Sequence, residues 1–283
     1  MTAQIGFIGQ GWIGRHYADE FESRMYDVVR YALEEPYVQN KEHIPACEVV
    51  FIAVPTPTNK NGFDDSIVKD ALSLVGKGKT AVIKSTLLPG TTEKLQEEFP
   101  DIYVLHSPEF LVEATAAQDA AKPKRNLIGI PKDTPEYRQK AVSILRILPE
   151  APYQKVMTSR DAEMVKYAGN CFLYTKVMFM NMLYDMVENS GCEWKTLHEA
   201  LINDPRIGDS HTQPVHSSGR GAGGHCLIKD FEAFRRMYKE VVPDTYGDEV
   251  MLAMARLNRR LLTETEKDLD LLKGVYGEEI EIE

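Results

Sequence analysis

The chain has 283 residues, 43% of them hydrophobic and 27% charged, a length that accommodates two domains and a composition ordinary for a globular protein. Its formal net charge of −10 argues against a nucleic acid partner, because phosphate backbones are held by basic faces. No run approaches the length of a membrane span, no signal peptide precedes Gln4, and Cys47, Cys171, Cys192 and Cys226 are too dispersed for a metal site, so a reduced, cytoplasmic protein without a membrane contact is expected.

Residues 4–9 read as an apolar strand ending in Gly9-Gln10-Gly11-Trp12-Ile13-Gly14, with a helix over 15–22 behind it. A G-x-G-x-x-G between strand and helix is the setting that dinucleotide binding requires. Its glycines allow a tight turn, approach of a pyrophosphate to backbone and close helix packing, and the helix N-terminus attracts the negative charge. After a strand over 27–31, the acid that would hold the adenosine ribose is replaced by Ala32, with Glu34 and Glu35 just beyond. Glu34 either reaches back to the ribose or belongs to a solvated loop, and Arg30 leaves NADP open.

Strands over 48–54 and 80–84 lead into Val54-Pro55-Thr56-Pro57 and Ser85-Thr86, with helices over 65–75 and 91–99 between and after them. This β-α-β-α order predicts a doubly wound parallel sheet that binds ligands at the carboxyl ends of its strands, here Val54 to Thr56 and Ser85 to Thr86. A strand over 102–106 runs into Ser107-Pro108-Glu109-Phe110-Leu111-Val112-Glu113, and strands over 126–130 and 153–157 surround a helix over 135–148. The first domain is placed at 1–158.

A long pattern without proline, dense in Met, Phe, Tyr and Leu, predicts a mostly buried helix over 159–190 and opens a helical domain over 159–277. Glu163, Lys166 and Asn170 lie at i, i+3 and i+7 and form one polar stripe, which is either a surface ion pair or part of a site. Helices are expected over 194–203, from about 228 to 242 and over 246–273, followed by an acidic tail over 278–283. Between them His211, His216 and His225 are too irregularly spaced for a metal site. Gly221-Ala222-Gly223-Gly224-His225-Cys226 puts a lone thiol at a glycine-rich turn opening a helix, whose N-terminus would favour the nucleophilic thiolate. The alternative is a glycine loop around a buried, unreactive cysteine. Asp230 would share a helix face with the thiol.

These motifs together, spread over nearly the whole chain, resemble the UDP-glucose/GDP-mannose dehydrogenase family. Those that carry the resemblance are Gly9 to Gly14, Val54-Pro55-Thr56-Pro57, Lys84-Ser85-Thr86 with Pro89-Gly90-Thr91, Pro108-Glu109-Phe110-Leu111 with Glu113, and Glu163-x-x-Lys166-x-x-x-Asn170. Asp204-Pro205-Arg206-Ile207-Gly208 and Gly223-Gly224-His225-Cys226 with Lys229-Asp230 complete them. The resemblance implies an α/β chain. A Rossmann-like, doubly wound, mostly parallel sheet would be followed by an all-α central and dimerisation domain like the C-terminal domain of 6-phosphogluconate dehydrogenase.

It further implies oxidation of the C6 alcohol of a sugar nucleotide such as UDP-glucose to the carboxylate, in two hydride transfers to NAD. Cys226 would form the thiohemiacetal and thioester. Lys166 and Asn170 match oxyanion donors, Asp230 and Thr86 residues that position water, Glu109 an acid/base, and Glu113 a cofactor contact. Phe110, Leu111, Gly221, Gly223, Gly224 and an Arg206 reaching across a homodimer would bind substrate. Gly9, Gly11, Trp12, Ile13, Gly14, Glu34, Val54, Pro55, Thr56, Ser85 and Thr86 would hold the cofactor. The chain departs from the family at Ala114, Ala222 and His225, and it ends before the family's second nucleotide-binding domain. Two other readings remain: a β-hydroxyacid-type dehydrogenase with one hydride transfer and no catalytic cysteine, and a catalytically incomplete subunit that needs a partner domain.

Overall fold

The computed structural model describes residues 4–217 and 219–278. The chain forms two compact units, Met1–Thr56 with Asp64–Lys166, and Pro57–Phe63 with Tyr167–Glu283. The division therefore falls at Lys166 and not at residue 158, and a short segment from the N-terminal half joins the second unit. Most of the tail expected over 278–283 lies outside the described residues.

The elements begin β1 Ile5–Ile8, α1 Trp12–Ser23, β2 Val28–Tyr31, β3 Val49–Ile52, β4 Thr58–Asn59, β5 Gly62–Phe63, α2 Ser66–Leu72, β6 Thr80–Ile83 and α3 Thr91–Glu98. They continue β7 Tyr103–His106, α4 Ala116–Ala121, β8 Arg125–Ile130, α5 Pro135–Ile147, β9 Tyr153–Thr158 and α6 Ser159–Ser190. The remainder is α7 Trp194–Ile202, β10 Val215–His216, β11 Gly219–Arg220, α8 Gly224–Val241, α9 Thr245–Glu264 and α10 Leu269–Tyr276.

In the first unit one sheet of seven strands has the order β2-β1-β3-β6-β7-β8-β9. Its central strands are continuous apolar runs, Ile5–Ile8 and Thr80–Ile83 being buried at every position, as strands covered on both faces must be. Phe7, Phe51, Val82 and Leu105 join Tyr17 and Phe21 of α1 and Ala141 and Ile144 of α5 in one core cluster. The pairing is parallel except that β8 runs antiparallel to β7. From β1 the chain first adds β2 on one side and then β3 on the other, so the strand order reverses at β1, and the carboxyl ends of β1 and β3 flank the crevice where such sheets take ligands.

In the second unit Tyr174 and Met178 of α6, Phe231 of α8 and Ala255 and Leu261 of α9 form a core cluster. Tyr174 and Phe231 stack at 3.8 Å and 9°, an arrangement worth about 0.5–1.5 kcal/mol beyond burial. Helix α10 packs on α8 and on the β4–β5 hairpin. Two sequence expectations are corrected. Helix α8 begins at Gly224 and not near residue 228, which puts Cys226 in its first turn. The helix expected over 246–273 is two helices, broken at a turn where Glu266 and Asp268 adopt left-handed backbone. Among the described residues no helix is long and apolar enough to cross a membrane.

Candidate active site

In the first unit the turn after β1 supplies Gly9 and Gly11, and Trp12, Ile13 and Gly14 open α1. The glycines are required for different reasons. A Cβ on Gly14 would lie 1.8 Å from the carbonyl oxygen of Gly9, so the fold itself forbids one. A Cβ on Gly11 would meet nothing within 4 Å, so the open space above it is a cradle the protein leaves unfilled, where a pyrophosphate fits against the α1 N-terminus. Gly14→Ala is therefore expected to destabilise the fold by about 1–3 kcal/mol. Gly11→Ala meets no clash and should cost only about 0.5–1 kcal/mol, for the weaker N-cap, while weakening dinucleotide binding about tenfold or more. Melting curves and calorimetric titration check the pair.

Val54, exposed Pro55 and buried Thr56 follow β3 at the same edge. Ser85 is buried, and its hydroxyl accepts from the Val54 N–H at 2.9 Å and donates to the Val54 carbonyl at 2.7 Å, so it stitches β3 to β6. Beside it Thr86 is half-buried, and its hydroxyl makes no hydrogen bond among the described residues. Glu34 is exposed in the turn after β2. Arg30, by contrast, is bound to Asp19 at 2.7 Å and Glu22 at 2.7 Å, which leaves no idle guanidinium for a 2′-phosphate.

Glu109 follows β7, buried. One carboxylate oxygen accepts from the N–H groups of Phe110 and Leu111, at 2.7 and 3.0 Å, and the other lies 3.0 Å from the ammonium of buried Lys84. Tyr17 lies near this carboxylate, and burial with that charge pushes the phenol well above its ordinary range. His106 beside Lys84 is wholly buried, and burial pushes its imidazole down to about 3, so it is neutral. A cavity of about 360 Å³ beside Phe110 and Leu111 is lined by Tyr17, Lys84, Glu109 and Arg125, whose guanidinium stacks 3.6 Å over the Phe110 ring. Glu113 is exposed in the short turn beyond.

The polar stripe expected on α6 is not one cluster. Glu163 is fully buried and turns to the N-terminus of α3, accepting from the N–H groups of Gly90 and Thr92, at 2.6 and 2.8 Å, and from the Thr92 hydroxyl. It supplies the cap that Gly90 cannot. Burial nevertheless pushes its carboxyl up to about 7. Lys166 is half-buried without a carboxylate within ion-pair distance among the described residues, its ammonium 5.7 Å from the Phe110 ring.

In the second unit Asn170 donates to Asp230 Oδ2 at 2.6 Å, and Lys229 holds Asp230 Oδ1 at 2.6 Å. Asp230 is fully buried, whereas Cys226, one turn earlier on α8, is exposed. The exposed thiol thus stands one turn from a fixed carboxylate and amide. Cys47 and Cys171 are the buried thiols, and burial raises both, Cys47 to about 11 and Cys171 further still. Arg206 is 88% exposed and chelates Asp204. Its loop is pinned from α6 by Lys176, which donates to the carbonyls of Ile207 and Ser210 at 2.8 and 2.6 Å. No sequence signal singled out Lys176, and Lys84 stood only as part of a motif with no role of its own, because a lysine's partners are set by tertiary contacts. Among the described residues no group of three His, Cys, Asp or Glu could hold a metal.

Residues 22–146 match the model of the UDP-glucose/GDP-mannose dehydrogenase family NAD binding domain, and 160–260 that of its central domain. A UDP-glucose 6-dehydrogenase of Rhizobium meliloti is 34% identical over 203 residues, 67% of this chain and 46% of its own length. Among solved structures, a UDP-glucose dehydrogenase from Pyrobaculum islandicum aligns with a TM-score of 0.77 at 26% identity, over 92% of this chain and 69% of that one. The 3-hydroxyisobutyrate dehydrogenase of Mycobacterium tuberculosis shares the fold at 13% identity, with a TM-score of 0.72 over 97% of this chain and 98% of that one. The chain spans about half the length of several curated relatives it matches.

Proposed function

The chain belongs to the UDP-glucose/GDP-mannose dehydrogenase family, and on that premise we propose that it is an NAD-dependent oxidoreductase acting on the C6 alcohol of a UDP-glucose-like sugar nucleotide. The observation that carries this reading is the exposed Cys226 in the first turn of α8, beside Asn170 and Asp230. A β-hydroxyacid-type dehydrogenase has no use for such a thiol.

Gly11 and the α1 N-terminus would hold NAD, which accepts one hydride per molecule, so two are consumed in turn. Loss of the first hydride from C6, with the hydroxyl proton passing to solvent, gives an aldehyde. The Cys226 thiolate then forms a C–S bond to the carbonyl carbon, and the oxygen left negative is received by the donors Lys166 and Asn170. Loss of the second hydride turns this thiohemiacetal into a thioester. Water, positioned by Thr86 and Asp230, adds to the carbonyl carbon, the C–S bond breaks, and thiolate and carboxylate are released. Glu109, with Lys84 and two backbone N–H groups on its oxygens, serves as the acid/base that takes a proton from the attacking water, the second proton passing to solvent. The test is the yield of NADH per sugar oxidised. Two support the reading, whereas one would favour the single-hydride alternative, and binding of NAD without turnover would indicate an incomplete subunit.

The proposed homodimer is supported by an apolar stripe on α6, where Phe172, Phe179, Met182 and Met186 are 69%, 54%, 48% and 67% exposed. On α9, by contrast, Ala255, Leu261 and Leu262 are buried within the unit. Phe179→Asp should convert a dimer to a monomer by light scattering with the fold intact, and an unmodified protein already monomeric would contradict the proposal.

A further inference from the structure

The loop that carries Cys226 is held by a turn to which the proposed chemistry gives no role. Between α9 and α10, Glu266 and Asp268 take left-handed backbone, with φ of 52° and 53°. For a residue with a side chain this costs about 1 kcal/mol or more, so it persists only where surrounding contacts demand it.

Those contacts lead to the glycine–cysteine loop. Lys267 is buried, and its ammonium donates to the carbonyls of Gly221 at 3.1 Å and Gly219 at 3.5 Å. Burial lowers this lysine from its ordinary range, against the opposing charge of Asp268. Asp268 occupies the N-cap position of α10, where an aspartate ordinarily accepts from its own helix. It makes no such bond, and its Oδ2 accepts from the N–H of Gly224, the first residue of α8, at 2.7 Å. Asn258 brackets Ala222, accepting from its N–H at 2.7 Å and donating to its carbonyl at 3.0 Å, and Thr265 Oγ1 accepts from the Arg220 N–H at 3.1 Å. A Cβ on Gly223 would lie 2.0 Å from Asp268 Oδ2 and 2.8 Å from Lys267 Cε. Glycine at 223 is thus required by the turn itself, without any need to invoke a ligand.

We infer that the Glu266–Asp268 turn is a positioning device for the nucleophile, fixing the backbone of Gly219 to Gly224 and setting a carboxylate on the first turn of α8, where its charge slows attack by Cys226 on an electrophile. The N-terminus of a helix favours a nearby anion by about 0.3–1 kcal/mol. Asp268 already holds one of the N–H groups that provide this effect, and its charge opposes a second anion two residues on. The other charges here are turned elsewhere, Lys229 to Asp230 and Lys267 to the loop carbonyls. The inference rests on the reading of Cys226 as nucleophile, but its measurement does not require turnover.

In a Cys192→Ser background, which removes the other exposed thiol, Cys226 is alkylated with iodoacetamide at pH 7. Asp268→Asn keeps an oxygen for the Gly224 N–H and removes the charge, so alkylation should accelerate about two- to fivefold. Asp270→Asn, a neutralised acid in the first turn of α10, should leave the rate unchanged. Lys267→Met should raise amide exchange over residues 219–224 by about tenfold or more relative to α6. A rate for Asp268→Asn equal to or below the parent's, or acceleration by Asp270→Asn to the same degree, overturns the inference. If Lys267→Met fails to fold, the isosteric Asp268→Asn still decides. A protein inactive on sugar nucleotides that nonetheless shows these rates would overturn the dehydrogenase reading alone.

Discussion

Cys226→Ser is expected to lower formation of the carboxylate product by roughly three orders of magnitude or more, the scale on which loss of a covalent nucleophile acts. A serine hydroxyl has the thiol's shape but is far less acidic, so the aldehyde is no longer captured and the second hydride transfer has no thiohemiacetal to draw on. Because Cys226 is exposed, the substitution removes no core packing, and the melting temperature should stay at the parent value. Cofactor binding should persist for the same reason. NADH yield per sugar and mass analysis of the product measure the effect, and a mutant that still delivers two NADH per sugar near the parental rate would remove Cys226 from the mechanism.

Lys166→Ala is expected to lower kcat by about a hundred- to a thousandfold, the cost of losing one preorganised donor to a developing oxyanion. The structural ground is that Lys166 is half-buried, faces a ring and has no carboxylate within ion-pair distance among the described residues, so the donor is not already satisfied there. KM for the sugar should change little, since the interaction strengthens only as negative charge develops on oxygen. Near-normal kcat would reduce Lys166 to a cation resting on Phe110.

Much of this architecture was legible because it depends on local pattern. Apolar runs such as Val49–Ile52 and Thr80–Ile83 mark strands buried on both faces, and the spacing of Gly9, Gly11 and Gly14 marks the turn between β1 and α1. The long apolar pattern likewise gave α6 at its observed bounds. What stayed hidden depends on distant partners. Glu163 and Lys166 look like a surface pair on a helical wheel, yet a carboxylate is drawn inward where the N-terminus of α3 offers N–H groups and no side chain of its own. The break between α9 and α10 has neither glycine nor proline to announce it, because Glu266 and Asp268 are held in place by the loop they brace. The same bracing gives Gly221 and Gly223, expected to make room for substrate, a second reason to be glycine, since a Cβ would meet Asn258 and Asp268.

The β4–β5 hairpin has a consequence for how the protein comes to be made. Pro57–Phe63 belongs with Tyr167–Glu283, and the carbonyl of Asn59 accepts from Arg236 at 2.6 Å. On the ribosome this hairpin emerges early and must wait for α8 and α10, which are translated last. The helical unit therefore cannot complete itself as an independent downstream module, and its folding is linked to a segment synthesised more than a hundred residues before it. A gene cut after Lys166 would divide the chain at the wrong place for either product, giving one fragment with an orphaned hairpin and another with an unfilled seat for it.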